Sequence, residues 1–361
     1  SSSSEHQTLS LQSLDISPSL QKRLVKAGVD KLFPVQAQCF VQVMEGKDMM
    51  CKSRTGSGKT LAFAIPIVES LERDTASQAL TGVGGRRWAA YSTGAGRKPR
   101  AIVMAPTREL AKQVEREFAR IAPGLSTLSL YGGTPIYPQL RQLRSGVDVV
   151  VGTPGRIIDH LEQGSLDLMS VRFSVLDEAD MMLQMGFQDD VEKIFSHLPE
   201  QRQTTLWSAT IPRWVHQLAR KYLVKPEMVD LVGEDDGKIP STISHWAFAV
   251  SRETRSEVLG LVALVHGKGK RSIIFTQTKA EVDDLCTLPA LSALGAEALH
   301  GGLAQQAREA TLDRFRSGRT KVIIATDVAA RGLDIPGVEM VFHYRLPLER
   351  EAFVHRAGRT G

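Results

Sequence analysis

The sequence lacks any run of about 18 consecutive uncharged apolar residues, so no segment is predicted to span a membrane. Cysteine is scarce: Cys39, Cys51 and Cys286 lie far apart in the chain and form no CxxC pair. This spacing argues against a disulfide framework or a zinc site and favours a reducing compartment. An acidic excess is absent too. The 45 Lys and Arg residues outnumber the 40 Asp and Glu residues, and the net charge of +5 is compatible with a polyanionic partner.

The length and the apolar pattern predict two domains of the α/β class. At 361 residues the chain exceeds what a single hydrophobic core usually organises. Short β-branched runs alternate with helical stretches, and uninterrupted apolar runs are typical of strands buried on both faces of a parallel sheet. Such runs occupy residues 101–105, 147–151, 171–176, 272–275 and 321–325.

Changes in composition predict the domain boundaries. Residues 1–8 are predicted to be a tail, 9–232 a first domain, and 242–361 a second, shorter domain. The polar stretch 233–241 contains Gly and Pro and is predicted to link the two. Residues 73–98 are rich in small and basic residues and show little periodicity, which predicts a mobile basic insertion in the first domain.

A glycine-rich loop that begins at Ser53 predicts a phosphate site. Residues 48–51 have the pattern of a strand, the loop ends in Lys-Thr, and a helical stretch follows, as a P-loop requires. Lys59 would neutralise the β- and γ-phosphates and Thr60 would ligate Mg²⁺, while glycines let backbone N–H groups face the phosphates. The ATP-binding residues predicted in the loop are Thr55, Gly56, Ser57, Gly58, Lys59 and Thr60. The strict P-loop pattern has Gly where Ser53 stands, and a glycine turn that merely starts a helix is the alternative.

Acidic residues follow directly after a predicted buried strand that ends at Leu176. The sequence Asp177-Glu-Ala-Asp180 would therefore lie at the carboxyl edge of a parallel sheet, where open α/β folds bind ligands. Asp177 would hold Mg²⁺ through its water shell, and Glu178 would orient and deprotonate the attacking water. Acidic residues also favour the start of a solvated helix, which is the alternative. The upstream P-loop favours the catalytic interpretation.

From Leu9 to Gly361 the chain resembles the DEAD-box ATP-dependent RNA helicases, because the family's motifs occur in order. They are Gly28–Gln36, Ser53–Thr60, Pro106–Leu110, Gly132–Gly133, Thr153–Arg156, Asp177–Asp180, Ser208–Thr210, Ile274–Thr278, Gln305–Arg308, Ala325–Asp334 and His355–Gly361. The resemblance implies two tandem RecA-like domains with parallel sheets flanked by helices. It also implies ATP and Mg²⁺ as cofactors, and domains that close on ATP and a single RNA strand.

The resemblance implies roles for residues around the nucleotide. Gln36 would recognise the adenine edge, and Asp334 would accept a hydrogen bond from the ATP ribose. Arg356 and Arg359 match the arginine fingers, which would reach the γ-phosphate when the domains close. Because Gly361 lies inside this last motif, the second domain is expected to be incomplete at its C-terminus and the arginine turn poorly anchored.

Further roles implied by the resemblance concern coupling and RNA. Ser208 and Thr210 would hydrogen-bond Asp180 and so couple the ATP site to closure. RNA would be gripped by its backbone, without sequence specificity. The RNA-binding residues expected are Pro106, Thr107, Arg108, Gly133, Thr153, Pro154, Gly155, Arg156, Gln305, Arg308 and Thr326. The insertion at 73–98 is interpreted as tolerated surface sequence, and an arm that contacts RNA phosphates is the alternative, through Arg86, Arg87, Arg97 and Lys98.

Two positions depart from the family pattern near the expected adenine site. Leu11 stands where the family has an aromatic residue that stacks on the base, and Phe33 stands where it has Thr. Looser adenine recognition is expected as a result. Lys59, Asp177 and Glu178 are all present, so the hydrolytic residues are expected to be intact.

The activity implied is an RNA-dependent ATPase that unwinds short RNA duplexes locally or remodels RNA–protein complexes. Two alternatives stay open: an RNA-clamping assembly factor with little turnover, and a DNA translocase of the same superfamily. Lys31–Gln36 and Met44–Met49 look most like the nucleolar and plant-mitochondrial branch of the family. That likeness implies ribosome assembly or organellar RNA folding, with ribosomal or RNP assembly factors as partners. It also implies the mitochondrial matrix as the compartment, with the nucleolus and the cytoplasm as alternatives.

Overall fold

The computed structural model describes residues 9–53, 57–81, 96–231, 243–330, 335, 337–348 and 350–360. They form two compact units, one within Ser1–Gly233 and the other within Glu234–Gly361. Each unit contains a parallel sheet flanked by helices, which confirms the predicted α/β class. The predicted linker, residues 233–241, lies outside the described residues. No helix in the described part of the chain is both long and apolar enough to cross a membrane.

A seven-stranded parallel sheet forms the centre of the first unit. Its strands are β3 (Met49–Lys52), β4 (Ala101–Met104), β5 (Thr127–Leu130), β6 (Val149–Gly152), β7 (Phe173–Leu176), β8 (Gln203–Ser208) and β9 (Glu227–Asp230). They lie in the order β5-β6-β4-β7-β8-β3-β9. Met49 and Cys51 pack into one apolar cluster, and Met50 between them packs into another. Both faces of the sheet are therefore covered, as the uninterrupted apolar runs predict.

Helices complete the two apolar clusters of the first unit. They are α1 (Pro18–Lys26), α2 (Pro34–Met44), α3 (Lys59–Thr81), α4 (Arg108–Ile121), α5 (Tyr137–Ser145), α6 (Pro154–Glu162), α7 (Ala179–Gln184), α8 (Gln188–Ser196) and α9 (Arg213–Tyr222). Capping fixes where several of them begin. Thr107 Oγ1 accepts from the N–H of Leu110 at the start of α4, and Pro154 occupies the first turn of α6.

The N-terminal segment is attached to the first unit through a buried carboxylate. The short strands β1 (Leu9–Ser10) and β2 (Lys31–Leu32) pair in antiparallel fashion, and a 3₁₀ helix covers Leu11–Ser13. Glu69 of α3 is fully buried and accepts from the N–H of Ser17 at 3.0 Å and from its Oγ at 2.9 Å. These contacts hold the start of α1 against α3.

The second unit contains a smaller sheet of the same kind. Its parallel strands β10 (Ser272–Thr276), β11 (Glu297–Leu299), β12 (Val322–Thr326) and β13 (Met340–His343) lie in the order β11-β12-β10-β13. The helices are α10 (Arg255–His266), α11 (Lys279–Thr287), α12 (Pro289–Ala293), α13 (Gln305–Arg316), α14 (Asp327–Ala330) and α15 (Arg350–Ala357). Ile273 and Phe275 pack into one apolar cluster and Ile274 into another. This sheet is therefore also covered on both faces.

The prediction of a loop across residues 73–98 is wrong for its first part, since α3 continues to Thr81. Ala, Gln and Leu residues in this stretch are good helix formers. An ion pair between Asp74 and Arg172 attaches this part of the helix to the residue that precedes β7. Thr75 Oγ1 also donates to the carbonyl of Leu71 at 2.9 Å, within the helix. These local preferences and contacts outweigh the small-residue composition that suggested a loop.

The last part of the predicted insertion is also bound to the first unit. Arg97 Nη2 lies 3.1 Å from Asp148 Oδ2, and Lys98 Nζ lies 2.5 Å from Asp167 Oδ2. Neither side chain extends away as an arm, because each pairs with a carboxylate of the same unit. Residues 82–95, with Arg86 and Arg87, lie outside the described part of the chain.

Candidate active site and RNA-binding surface

Apart from Gln36, the predicted site residues that the structure describes in the first unit lie at or after the carboxyl ends of strands. Because the strands are parallel, these ends lie along one edge of the sheet. The phosphate loop, the acidic residues and Ser208–Thr210 follow β3, β7 and β8, which are neighbours in the sheet. The expected RNA-binding residues follow β4, β5 and β6, which are neighbours on the other side of β7. The strand order therefore separates the ATP-binding candidates after β7, β8 and β3, called here the nucleotide half, from the RNA-binding candidates after β5, β6 and β4, called the RNA half.

The phosphate loop leaves β3 and enters α3. The N–H of Ser53 donates to the carbonyl of Ser208 at 2.9 Å, and the Oγ atoms of Ser53 and Ser57 lie 2.5 Å apart. Gly58 has a φ of +88°, where a side chain would be strained, and a Cβ there would lie 2.6 Å from Gln36 Nε2 and force that amide to move. Residues 54–56, with Thr55 and Gly56, lie outside the described ranges.

Lys59 begins α3 and is buried against the acidic residues. Its Nζ donates to Oε1 of Glu178 at 2.8 Å. Burial lowers the pKa of the Lys59 ammonium, but the charges of Glu178 and Asp177 outweigh this effect and hold the pKa above its ordinary value. Lys59 is therefore a fixed positive charge at the start of the helix. Thr60 follows it and is half-buried, with its hydroxyl on the same helical turn.

The acidic residues lie in a sharp turn after β7. Asp177 and Glu178 are both buried, and Glu178 adopts a left-handed conformation with φ 51°. A non-glycine residue in this region costs on the order of 1 kcal/mol and is common at functional sites. Burial raises the pKa of Asp177 to about 7, with Lys59 opposing the rise and Glu178 adding to it. The turn therefore concentrates two carboxylates beside a single ammonium group.

Asp180 connects this turn to the end of β8. Its Oδ2 accepts from the N–H of Thr210 at 2.9 Å and from Thr210 Oγ1 at 3.0 Å. Its own N–H donates to Ser208 Oγ at 3.1 Å. The structure thus brings together the three residues expected to couple ATP binding to closure. The coupling role itself stays a prediction.

Gln36 is buried against the phosphate loop rather than exposed on α2. Its Oε1 accepts from the N–H of Phe33 at 2.8 Å, and its Nε2 donates to the carbonyl of Gly58 at 3.2 Å. The side chain therefore connects the start of α2 to the loop. Leu11, at the position of the family's adenine-stacking aromatic, is buried in the core, whereas the side chain of Phe33 is 57% exposed.

On the RNA half, Arg108 lies against the glycine turn that follows β5. Its guanidinium is 5.3 Å from the centre of the Tyr131 ring, and Lys112 Nζ lies at the same distance. A Cβ on Gly133 would lie 2.4 Å from Arg108 Nη2, and Gly133 has a φ of +73°. Arg108 and the backbone of the turn are therefore close-packed. Thr107 and Pro106 are buried just before Arg108.

The N-terminus of α6 supplies the remaining RNA-binding candidates. Gly155 is exposed and Thr153 half-buried, so the backbone amides of this first turn lie near the surface. Pro154 is buried. Arg156 faces inward: its side chain is only 9% exposed, and it donates to Asp159, to Gln139 and to the carbonyl of Thr134. Sequence reasoning missed Gln139 and its neighbour His160, because nothing in their spacing distinguishes them from surface polar residues.

In the second unit, Arg356 is buried, and its guanidinium donates hydrogen bonds to other residues of the same unit. Its Nε and Nη2 donate to the two carboxylate oxygens of Asp327 at 2.6 and 2.7 Å, and Nη1 donates to the carbonyl of Arg345 at 2.7 Å. Its guanidinium also lies 5.2 Å from the centre of the Phe275 ring. The assignment of Arg356 as an arginine finger is therefore wrong, because all three nitrogens donate inward. The expectation that the backbone of this turn is poorly anchored stays a prediction.

The other candidates of the second unit lie at strand and helix ends. Thr326 is buried at the end of β12, and Gln305 begins α13, where its Nε2 donates to Glu309 Oε1 at 2.7 Å. Arg308 lies one turn further along α13. Arg359 is half-buried after α15, and Asp334 lies outside the described residues.

A parallel sheet with a phosphate loop after one strand and an acidic pair after another defines a P-loop nucleotide-binding protein built from RecA-like units. A family model described as DEAD/DEAH box helicase matches residues 33–218, and one described as helicase conserved C-terminal domain matches residues 255–361. The chain belongs to the DEAD-box ATP-dependent RNA helicase family, as its motifs predict.

Relatives and solved structures agree with this assignment. The chain is 48% identical over 353 residues to DEAD-box ATP-dependent RNA helicase 9, mitochondrial, of Arabidopsis thaliana, covering 98% of this chain and 55% of that protein. It is 43% identical to ATP-dependent RNA helicase DDX50 of Homo sapiens, covering 96% and 46%. The structure of S. cerevisiae Dbp5 bound to RNA and ADP BeF3 is similar, with a TM-score of 0.80 and 29% identity, covering 98% of this chain and 86% of that one. The chain spans about half the length of the curated relatives it matches.

Proposed function

We propose that this chain is an RNA-dependent ATPase that unwinds short RNA duplexes locally and remodels RNA–protein complexes. The observation that carries the proposal is the burial of Lys59 beside Glu178 and Asp177, at 2.8 Å from the first of these carboxylates. A fixed ammonium, a carboxylate able to accept a proton and a second carboxylate are the groups that γ-phosphoryl transfer to water requires.

Each residue of the nucleotide half has a separate proposed role in ATP hydrolysis. Lys59 binds the β- and γ-phosphates, which compete with Glu178 for its ammonium. Glu178 is thereby released to orient water and accept its proton. Thr60 and Asp177 would hold Mg²⁺, which neutralises phosphate charge when bound. The donor set fits this ion, since Mg²⁺ takes one or two carboxylates plus phosphate oxygens and water rather than a complete protein cage. Among the described residues no group of three or more His, Cys, Asp or Glu forms such a cage.

The RNA half presents backbone and cationic groups. The exposed Gly133 and Gly155 offer N–H groups, and Arg108 and Lys112 supply positive charge around the turn that contains Gly133. Such groups recognise phosphates and 2′-hydroxyls rather than base edges, so binding is expected to be independent of sequence. Gln305, Arg308 and Thr326 would contribute in the same way from the second unit. The RNA-bound state of Dbp5 supports this proposal.

An RNA clamp with little turnover is the second candidate. It is favoured by one observation: Arg356 donates to Asp327 and is not available as an arginine finger. Arg359 is then the single remaining candidate from the predicted pair. Loss of an arginine finger slows phosphoryl transfer by about 10³-fold or more, so hydrolysis depends on Arg359.

A role in ribosome assembly or organellar RNA folding is part of the proposal, with RNP assembly factors as partners. Its support is the likeness to helicase 9 of Arabidopsis thaliana, whose name places it in mitochondria. We propose the mitochondrial matrix as the compartment. Imaging of the tagged full-length protein beside a matrix marker tests this, and accumulation in the nucleolus or the cytosol would contradict it.

Steady-state ATPase measurements test the proposed activity. Turnover is measured without nucleic acid, with single-stranded RNA, and with DNA of the same sequence. Strong stimulation by RNA and none by DNA is the expected result. Equal stimulation by both would favour the DNA translocase. RNA binding that depends on ATP, without turnover, would favour the clamp.

A further inference from the structure

Gln139 is a buried amide that connects the two RNA-binding segments of the first unit. It lies in α5 with a relative exposure of 6%. Its Nε2 donates to the carbonyl of Tyr131 at 3.2 Å, in the glycine turn after β5. Its Oε1 accepts from Arg156 Nη1 at 3.0 Å and from His160 Nε2 at 3.0 Å, both in α6. One side chain therefore joins the turn after β5 to the helix after β6.

The hydrogen-bonding capacity of this amide is fully used. Nε2 also lies 3.5 Å from Thr134 Oγ1, so both amide hydrogens and both lone pairs of Oε1 have a partner. Arginine only donates, so the contact with Arg156 fixes which end of the amide is oxygen. No other common side chain of this size offers two donors and two acceptors at these positions. Glutamate would lose the donors, and leucine would lose all four bonds.

Arg156 provides a second connection between α6 and the turn after β5. Its Nη2 donates to the carbonyl of Thr134 at 3.1 Å, so the guanidinium bridges the same turn that Gln139 bridges. With 9% of its side chain exposed, Arg156 is placed to support the turn rather than to extend into solvent. Its Nε donates to Asp159, whose side chain is 53% exposed. Arg156 therefore has a buried partner, Gln139, and an exposed one.

His160 completes the network from the opposite side. It is fully buried, and burial lowers the pKa of its imidazole, with the Arg156 charge lowering it further. Because the Gln139 oxygen only accepts, His160 Nε2 must carry the hydrogen. Nδ1, 2.8 Å from Ser165 Oγ, is then free to accept from that hydroxyl. The Nε2–H tautomer gives both ring nitrogens a partner, while the Ser165 hydroxyl, which also lies 3.1 Å from the carbonyl of His160, donates to one of its two acceptors at a time.

We propose that Gln139 is a positioning residue for RNA binding, which holds the turn Tyr131–Thr134 and the first turn of α6 in one relative arrangement. The inference rests on the proposed function, because these two segments are the expected contacts to the RNA backbone. Gln139 itself is buried and does not touch RNA. Its effect is to fix the spacing between the N–H groups of Gly133 and Gly155, so that both can bind successive backbone groups of one RNA strand.

Three variants of the full chain test this. Gln139→Leu removes every hydrogen bond, and Gln139→Glu keeps the acceptor for Arg156 and His160 but cannot donate to the Tyr131 carbonyl. Asp159→Asn is the matched control, because it weakens an exposed contact of the same guanidinium. Each is measured for the RNA concentration at half-maximal ATPase stimulation, for kcat at saturating RNA, for the dissociation constant of labelled single-stranded RNA, and for thermal unfolding.

Gln139→Leu is expected to raise the half-saturating RNA concentration and the dissociation constant by about tenfold, because it leaves buried partners unsatisfied. Its kcat at saturating RNA should stay close to that of the unmodified protein. Gln139→Glu should show a smaller rise, and Asp159→Asn less than a twofold change.

Unchanged RNA affinity in Gln139→Leu, or a fall in kcat without a change in RNA affinity, would overturn the inference. If Gln139→Leu does not fold, normal affinity in Gln139→Glu overturns it instead. Failure of the proposed function looks different. The unmodified protein would then show no RNA-stimulated ATPase, while the dissociation constants still report on Gln139.

Discussion

Lys59 Nζ donates a 2.8 Å hydrogen bond to Oε1 of Glu178, so the phosphate-binding ammonium and the proposed general base are paired. The pair is buried, with side-chain exposures of 6% and 7%. Nucleotide phosphates must therefore compete with Glu178 for Lys59. Binding of the phosphates and release of the base become one event, which would keep the base inactive until a nucleotide is present.

Replacing Glu178 by Gln should separate binding from hydrolysis. The neutral amide still accepts from Lys59 but cannot take a proton from water, and a general base contributes about 10²–10⁴-fold to turnover. We expect ATP binding to be retained, turnover to be lost and RNA to be held longer. Nucleotide binding, RNA-stimulated ATPase and RNA dissociation rates measure this. Glu200→Gln, at an exposed position of the same unit, is the control. Normal ATP turnover in Glu178→Gln would contradict the assignment of Glu178 as the general base.

Gln36→Ala should reduce both nucleotide affinity and the preference for ATP over GTP. The variant loses the bond to the Gly58 carbonyl, which loosens the phosphate loop, and any contact to the adenine edge. Because a neutral hydrogen bond is worth about 1 kcal/mol, each loss should be about fivefold. Competition binding of ATP and GTP measures it. Gln38→Ala, exposed on the same helix, is the control. An unchanged ATP-to-GTP ratio would show that the base is recognised elsewhere.

Alanine variants of Arg356 and Arg359 should have different effects, because we expect Arg356 to support the fold and Arg359 to act in ATP hydrolysis. Arg356→Ala leaves the Asp327 carboxylate without its partner, and breaking this partly buried ion pair should cost up to about 3 kcal/mol of stability. Arg359→Ala should cost less stability than Arg356→Ala and reduce ATP turnover by about 10³-fold.

Urea unfolding and RNA-stimulated ATPase measure both effects, with Arg319→Ala, exposed in the same unit, as the control. Normal stability in Arg356→Ala would reinstate Arg356 as a candidate finger. Normal ATP turnover in Arg359→Ala would exclude Arg359, the second arginine of the predicted pair, as an arginine finger.

The apolar pattern was sufficient to predict the α/β fold class, while the RecA-like architecture was implied by the family motifs. Buried apolar runs of four or five residues, separated by helical stretches, specify parallel strands covered on both faces. The position of the acidic residues followed from the same logic, because Asp177 comes directly after the buried residue Leu176. Residues 73–81 were mistaken for a loop because their helix depends partly on a distant partner, Arg172.

Side-chain direction could not be predicted in the same way. The motif that contains Arg356 and Arg359 does not show which of the two faces inward. The difference arises because Asp327, 29 positions earlier, begins α14 directly after β12 and accepts from Arg356. Gln139 is a similar case, since its four partners come from two segments that meet only in the folded sheet. The direction of the Arg356 and Gln139 side chains is decided by hydrogen bonds to residues distant in the chain. A single sequence does not show which distant residues will be in contact.

The last prediction concerns His343 at the end of β13. Its ring stacks on Phe353, with 4.6 Å between ring centres. Burial lowers the pKa of its imidazole to about 4, and the nearby Arg356 charge acts in the same direction. The folded protein therefore holds His343 neutral, while the unfolded chain protonates it below about pH 6.5. Since the unfolded state binds the extra proton between these two values, the free energy of unfolding should fall as the pH drops from 6.5 toward 4.

The contribution of His343 is fully present above pH 6.5 and is lost through that window. NMR titration tests it directly: the His343 ring resonances should not shift between pH 8 and pH 5 in the folded protein, but should titrate near pH 6.5 in urea. His343→Phe, which keeps an aromatic ring against Phe353 without a titratable group, should show a shallower fall in the free energy of unfolding over the same window. A folded-state titration of His343 near 6.5, or an unchanged slope in His343→Phe, would show that this histidine does not link the stability of the second unit to pH.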